Sequence, residues 1–267
     1  MNKLSDDKFI QPGICEKNFQ FFEAFTNSVM AEQNRIFCSP PQHIRFGMEV
    51  NMETLEELLK KEEYEEIDKL LSEQLRSNKD DIGLLMKLAM IRLQFPFEDE
   101  DTSIYYLNEI IKIEEFHFEA LVIKMYLQDF CYRDMDKDFE KIISHDWKDP
   151  YRNAIADFIC SWKYYDFYDE KKMEKEAHWL KKSFQTCSEF VRPFERLARI
   201  YEEKKQFAEA KECYAYALKN VISTEFSFED AISAQAFIDE YITGVRLSSL
   251  NYESLQEYYA KAASKCK

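Results

Sequence analysis

Residues 191–222, VRPFERLARIYEEKKQFAEAKECYAYALKNVI, decide the fold. Phe194, Leu197, Ala198 and Tyr201 fall at offsets 0, 3, 4 and 7, which is one face of an α-helix. After the polar turn EEKKQ, Ala210, Tyr214 and Ala217 fall at offsets 0, 4 and 7, and Val221 extends the row. Two helices each carry an apolar stripe, with alanines at 198, 210 and 217 where a partner backbone comes close. The spacing predicts an antiparallel helical hairpin. Interaxial distances of about 8–10 Å leave no room for two large side chains face to face, which is why the small residues matter.

The same positions resemble the tetratricopeptide repeat, whose pattern W-x2-L-G-x2-Y…A-x3-F…P recurs about every 34 residues. Phe194 stands for the family's Trp, Leu197 and Ala198 for its Leu-Gly, and Tyr201 for its Tyr. Ala210, Tyr214 and Ala217 match the second helix, whereas Ile222 stands where a closing Pro belongs, so a softer exit turn or a longer helix is expected there.

Outward from this unit the pattern weakens but persists. NMETLEELLKKEEYEEIDKLLSEQLRS gives a first pair from Asn51. DIGLLMKLAMIRLQF, with Leu85, Leu88 and Ala89 in register, opens a second, although Arg92 replaces the expected Tyr. Ser103, Leu107 and Ile110 fill its second helix, after a turn about two residues longer than the family's. A third pair carries Phe139 and Ile142, and a fourth has Ala177 lying 33 residues before Ala210. FSFEDAISAQAFIDEYITGV with NYESLQEYYAKAAS is expected to be a sixth pair. The resemblance implies an all-α, right-handed α-solenoid of about six helix pairs over 51–267. Residues 1–50 stand apart: a helix near 14–32 and an irregular stretch around Pro40 and Pro41 are expected to form a cap or an arm.

Composition agrees with helices. Four glycines and six prolines in 267 residues, with 33% charged, leave few turn-formers for sandwiches or barrels. The seven cysteines are never arranged C-x-x-C and read as reduced thiols packed in helices. The N-terminus shows no signal-peptide pattern, and no run of about 18 apolar residues exists, so a cytoplasmic protein is expected. Net charge is −15, and residues 51–150, with 13 basic against 26 acidic residues, hold −13 of it. Nucleic acid and anionic membranes are disfavoured as partners, and a basic protein or peptide is favoured.

No phosphate-binding glycine loop, zinc-protease motif or nucleophile elbow occurs, so no cofactor, metal or catalytic residue is expected. His117, near Glu114, Glu115 and Glu119, reads as part of a solvated helix face. The resemblance places residues two, five, nine and twelve of each unit toward a groove, which points to Arg192, Glu195, Arg199 and Glu202, and to Gly83, Met86, Met90 and Leu93. These positions lack the Lys and Asn with which some family members grip a C-terminal carboxylate. Trp162, Tyr164, Tyr165 and Tyr168 crowd more aromatic surface than one stripe can bury, since adjacent helical residues point about 100° apart, and are candidate anchors. Glu98, Asp99, Glu100 and Asp101 form an acidic surface. The functional expectation is a non-enzymatic scaffold that holds a basic protein, of immunity-protein or chaperone type. A peptide-responsive regulator or adaptor is the alternative, and an enzyme with an unrecognised site follows.

Overall fold

The computed structural model describes residues 55–130, 136–166, 168–223 and 227–266. The expected cap or arm at 1–50 lies outside them. Five helix pairs follow in order: α1 Leu55–Lys60 with α2 Tyr64–Ser77, α3 Ile82–Ile91 with α4 Glu100–Ile113, α5 Phe118–Phe130 with α6 Asp136–Ser144, α7 Pro150–Trp162 with α8 Glu170–Thr186, and α9 Arg192–Glu203 with α10 Phe207–Asn220. Each helix packs on its neighbours in sequence, from α1 on α2 through to α9 on α10. The chain is an all-α solenoid.

The decisive hairpin forms as its stripes require. Phe194, Leu197, Ala198, Ala210, Tyr214 and Ala217 are all buried, and the Tyr214 hydroxyl donates to Glu202 at 3.0 Å. On α8 the buried stripe is Met173, Glu176, Leu180 and Ser183. Glu176, Leu180 and Ser183 each precede Ala210, Tyr214 and Ala217 by 34 residues, so the inward position of the fourth pair belongs to Glu176, and Ala177 sits one residue off it.

The turns inside the pairs repeat as well. In the first pair Glu62 N–H bonds to the Leu59 carbonyl and Glu63 N–H to that of Leu58; in the fifth, Lys205 N–H bonds to Glu202 and Gln206 N–H to Tyr201. This double closure is a Schellman motif, which places its turn residue in the left-handed region. Glu62 (φ 56°) and Lys205 (φ 58°) hold that position without being glycine. The second pair has the longer turn expected of it, closed by Asp99 N–H on the Arg92 carbonyl, with Glu98 at φ 45°. Arg92 explains its departure from the repeat: its guanidinium reaches Asp68 of α2 at 2.7 Å and lies over the Phe97 ring.

The sixth pair departs from expectation. Helix α10 stops at Asn220, and Ile222 enters β1 (Ile222–Ser223) instead of lengthening the helix. Residues 227–245 do not form one first helix. They break into a 3₁₀ turn, Phe228–Ile232, a short α11, Ala234–Phe237, and a π-helical turn, Ile238–Thr243, before β2 (Arg246–Leu247). Strands β1 and β2 pair in parallel, Ile222 with Arg246 and Ser223 with Leu247, so the excursion leaves and returns at one neck. The last helix, α12 (Ser249–Lys265), then packs directly on α10.

Between its two ends the excursion lies along the first helices. Its 3₁₀ turn packs on α1 and α3, α11 on α3 and α5, and the π turn on α5 and α9. Tyr151 of α7 donates to Asp239 at 2.9 Å. The sequence splits here for a local reason. Ser227 and Asp230 form a capping box, Ser233 caps α11 through the Ala236 N–H, and Gly244 ends the π turn at φ 69°. Gly244 also sits where a Cβ would lie 2.9 Å from Arg192 Cγ.

Two substitutions test this backbone in urea unfolding. Lys205→Gly is expected to raise stability by about 0.5–1 kcal/mol, because glycine takes the left-handed region freely. Gly244→Ala is expected to lower it by about 1–3 kcal/mol through strain and contact with Arg192.

Candidate functional site

The inner surface is built by the first helices and filled by residues 227–247. Its deep half is sealed: Ala236, Ile238, Glu240, Ile242 and Thr243 are buried, and Ile238 and Ile242 belong to the same apolar cluster as Met90, Leu121, Ile159 and Leu197. Phe237 and Tyr241 pack their rings against Tyr126 of α5, with centroids at 5.5 and 6.1 Å. Backbone bonds lock it further, since Val191 N–H reaches the Thr243 carbonyl and Ile222 N–H that of Val245, each at 2.9 Å.

Arg192, Glu195 and Arg199 lie at this junction. Arg192 and Arg199 each donate to one oxygen of the Glu195 carboxylate at 2.9 Å, and Glu195 is 8% exposed. Burial alone would push that carboxyl up, but the two guanidiniums hold it below its ordinary value. Arg192 also donates to the Glu240 backbone carbonyl at 3.2 Å, and Arg199 lies over the Tyr258 ring of α12. The three side chains thus tie α9 to the excursion and to the last helix. Glu202, the fourth of that row, accepts from Tyr214.

Met90 is buried in the main core and Met86 is half-buried against it. The aromatic group divides at the end of α7. Trp162 packs edge-on to Phe158 and Tyr126. Tyr164 lies half-buried beneath Lys175, and Tyr165, 37% exposed, has the Arg196 guanidinium 3.6 Å from its ring centre. Tyr168 is 75% exposed. The acidic run serves α4: Asp99 caps it by accepting from the Thr102 N–H and hydroxyl, and Glu100 and Asp101 occupy its first turn, where carboxylates favour the helix dipole.

His117 does similar work for α5, its Nδ1 accepting the Ala120 N–H at 3.3 Å. Burial pushes the thiols of Cys160 and Cys213 up to about 11, which keeps them protonated near neutrality. A cleft of about 570 Å³ opens between α4 and α6, and its lysines are met by carboxylates: Lys112 by Glu109, Lys124 by Asp138 and Lys141 by Glu115. A smaller cleft of about 230 Å³ is edged by Glu62, Glu63, Glu65 and Glu66 with Tyr64 and Pro96.

Sequence reasoning did not find Tyr151, Asp239, Glu240, Asn251 or Gln94, which fasten the excursion. A signal was present in the S-x-x-D of Ser227–Asp230, the second cap at Ser233 and Gly244, which punctuate a supposedly continuous helix.

No protein-family profile matches the chain, and no curated protein does. Solved structures of MamA resemble it. MamA 41-end from Desulfovibrio magneticus RS-1 shares 17% identity at a TM-score of 0.47, covering 62% of this chain and 90% of that one. The MamA RS-1 ArsTM double mutant gives 17% and 0.47, covering 62% and 89%. A crystal structure of MamA gives 11% and 0.31, covering 81% and 96%.

Glu240 supplies a pH test. Burial raises its carboxyl above the ordinary 4.5, against weaker help from Arg192 and from Ser248 and Asn251, the last donating at 3.2 Å. A raised carboxyl stabilises fully below its unfolded value and loses that contribution as pH rises through the folded one. Glu240→Gln is therefore expected to gain stability relative to wild type as pH climbs from about 4.5, read by thermal melts across pH. Glu195→Ala, which strands two half-buried guanidiniums, is expected to lose about 3–5 kcal/mol.

Proposed function

We propose that the chain is a non-enzymatic protein-binding scaffold whose partner presents a basic segment. The observation that carries this reading is the seat itself. First helices from all five pairs hold one short, irregular stretch of polypeptide by ring packing, apolar side chains and bonds to its backbone carbonyls. A surface that grips a backbone and alternate side chains in this way is suited to polypeptide ligands.

Charge selects among them. The chain carries −15, and buried or half-buried cations such as Arg92, Arg152, Arg192, Arg196 and Arg199 are already joined to carboxylates within it. The remaining acidic surface would speed encounter with a basic partner and disfavour nucleic acid. Sequestration of that partner, as an immunity protein or chaperone does, is the role we assign to this acidic cover.

Native copurification with mass spectrometry, followed by calorimetry on the recovered partner, tests this. The expected partner is basic, and its affinity falls steeply between about 0.05 and 0.5 M salt. Recovery of acidic partners alone, or an affinity indifferent to salt, would sink the reading.

A further inference from the structure

Residues 227–247 are held very unevenly along their length. From Ala236 to Gly244 the segment is locked into the core, as described above. From Ser227 to Gln235 no residue is buried, and Phe228 stands 44% exposed. This outer half meets α3 through one hydrogen bond, from Gln94 Nε2 to the Ala231 carbonyl at 3.3 Å, and through Ile232, which packs in the small cluster of Leu58, Leu88 and Ile91. Its 3₁₀ turn is tethered backward, to the neck, by Arg246 on both oxygens of Asp230 at 3.2 and 3.0 Å.

Its charge also fits its seat poorly. Glu229 and Asp230 are brought to α1, whose first turn already holds Glu56 and Glu57, and Lys60 of α1, which feels Glu229, is committed to Glu56 at 2.5 Å. The four-glutamate cleft at the α1–α2 turn borders Pro96, two residues beyond Gln94. An acidic stretch thus lies on an acidic surface: Ser227–Ser233 meets α1 and α3 through Ile232 and one backbone bond, and the firmer anchors, Ala234 on the main core and Gln235 donating to Tyr151 at 2.9 Å, come only where the deep half begins.

We infer that Ser227–Gln235 is an internal competitor for a docking site on α1 and α3, and that the site's intended occupant is a cationic segment of a partner protein. The inference rests on the scaffold reading above and specifies where that scaffold receives its ligand. The incoming segment supplies an aliphatic residue for the Ile232 position and a backbone carbonyl for Gln94, and it replaces Glu229 and Asp230 with lysine or arginine. The deep half stays in place, so the solenoid core is preserved while the outer half lifts.

The probe is a fluorescent peptide of the chain's own Ser227–Phe237 sequence carrying E229K and D230K, compared with the unaltered peptide. The receptors are the full chain and its Asp230→Ala/Ile232→Ala variant, which frees the outer half without touching the deep one. The expected result is at least about tenfold tighter binding of the lysine peptide to the variant than to wild type, with the unaltered peptide weaker on both. Hydrogen exchange on the wild-type chain supplies a readout independent of the variant's folding: amides of 228–233 should exchange at least about tenfold faster than those of 238–243. Equal affinity for both receptors would place binding elsewhere and overturn the inference while leaving the scaffold reading intact. Binding to neither receptor, a preference for the unaltered peptide, or uniform exchange along 228–243 would each overturn it too.

Discussion

Stacked helix pairs leave one surface that neither partner helix covers, and the constraint on this molecule is how that surface is kept dry. The first helices turn Leu121, Ile123, Ile159 and Leu197 toward a common cluster, which would cost about 1.5–3 kcal/mol per large side chain if left in water. Ile238 and Ile242 close it. The rest of the segment's chemistry follows from their placement. Gly244 turns the chain where Arg192 leaves no space, Tyr151 meets Asp239, and Arg192 takes a backbone carbonyl with the arm left over from Glu195. The π-helical turn lets the Thr243 hydroxyl bond back to the Ile238 and Asp239 carbonyls, so two acceptors of an irregular backbone are met inside the core.

Several half-buried cations of this acidic chain join one helix to another. Arg92 reaches Asp68 across the first two pairs, Arg152 reaches Glu119 from the fourth pair to the third, and Arg196 reaches Glu176 from the fifth to the fourth. Lys124 with Asp138 and Lys182 with Asp157 do the same inside pairs. Breaking such half-buried pairs on one side is costly, because the abandoned charge stays in a poorly hydrated place. Other carboxylates stand at helix starts, Glu56 and Glu57 in α1, Glu65 and Glu66 in α2, Glu100 and Asp101 in α4.

The solenoid was legible because its signals are local. Offsets of 0, 3, 4 and 7 on 194–201 and 0, 4 and 7 on 210–217 state both helices and the side on which they meet, and Ser103, Leu107 and Ile110 repeat the statement. The candidate site was less legible. Arg192, Glu195 and Arg199 read as groove positions because the repeat pattern describes a groove without its contents, whereas here Arg192 is taken up by the Glu240 carbonyl 48 residues downstream and Arg199 by the Tyr258 ring of the last helix. The 226–245 stretch has enough apolar residues to read as a first helix. What defeats it is Ser227, Ser233 and Gly244, whose capping is favourable wherever the chain is free to break, together with the unfilled inner face, a tertiary reward invisible to any local window. The aromatics at 162–168 show the converse. Helical geometry correctly denied them a single burial face, but their separate partners, Tyr126, Lys175 and Arg196, come from three different helices.

The neck separates the excursion from the stacking of the helices on either side of it. Because Ile222 and Ser223 lie against Arg246 and Leu247, helices α10 and α12 meet much as they would if joined by a short turn. The outer part of the excursion can accordingly lengthen, shorten or change composition without shifting the register of any helix pair. Changes in that outer part are therefore borne by the excursion alone, while the stacking of α10 on α12 is held by the neck.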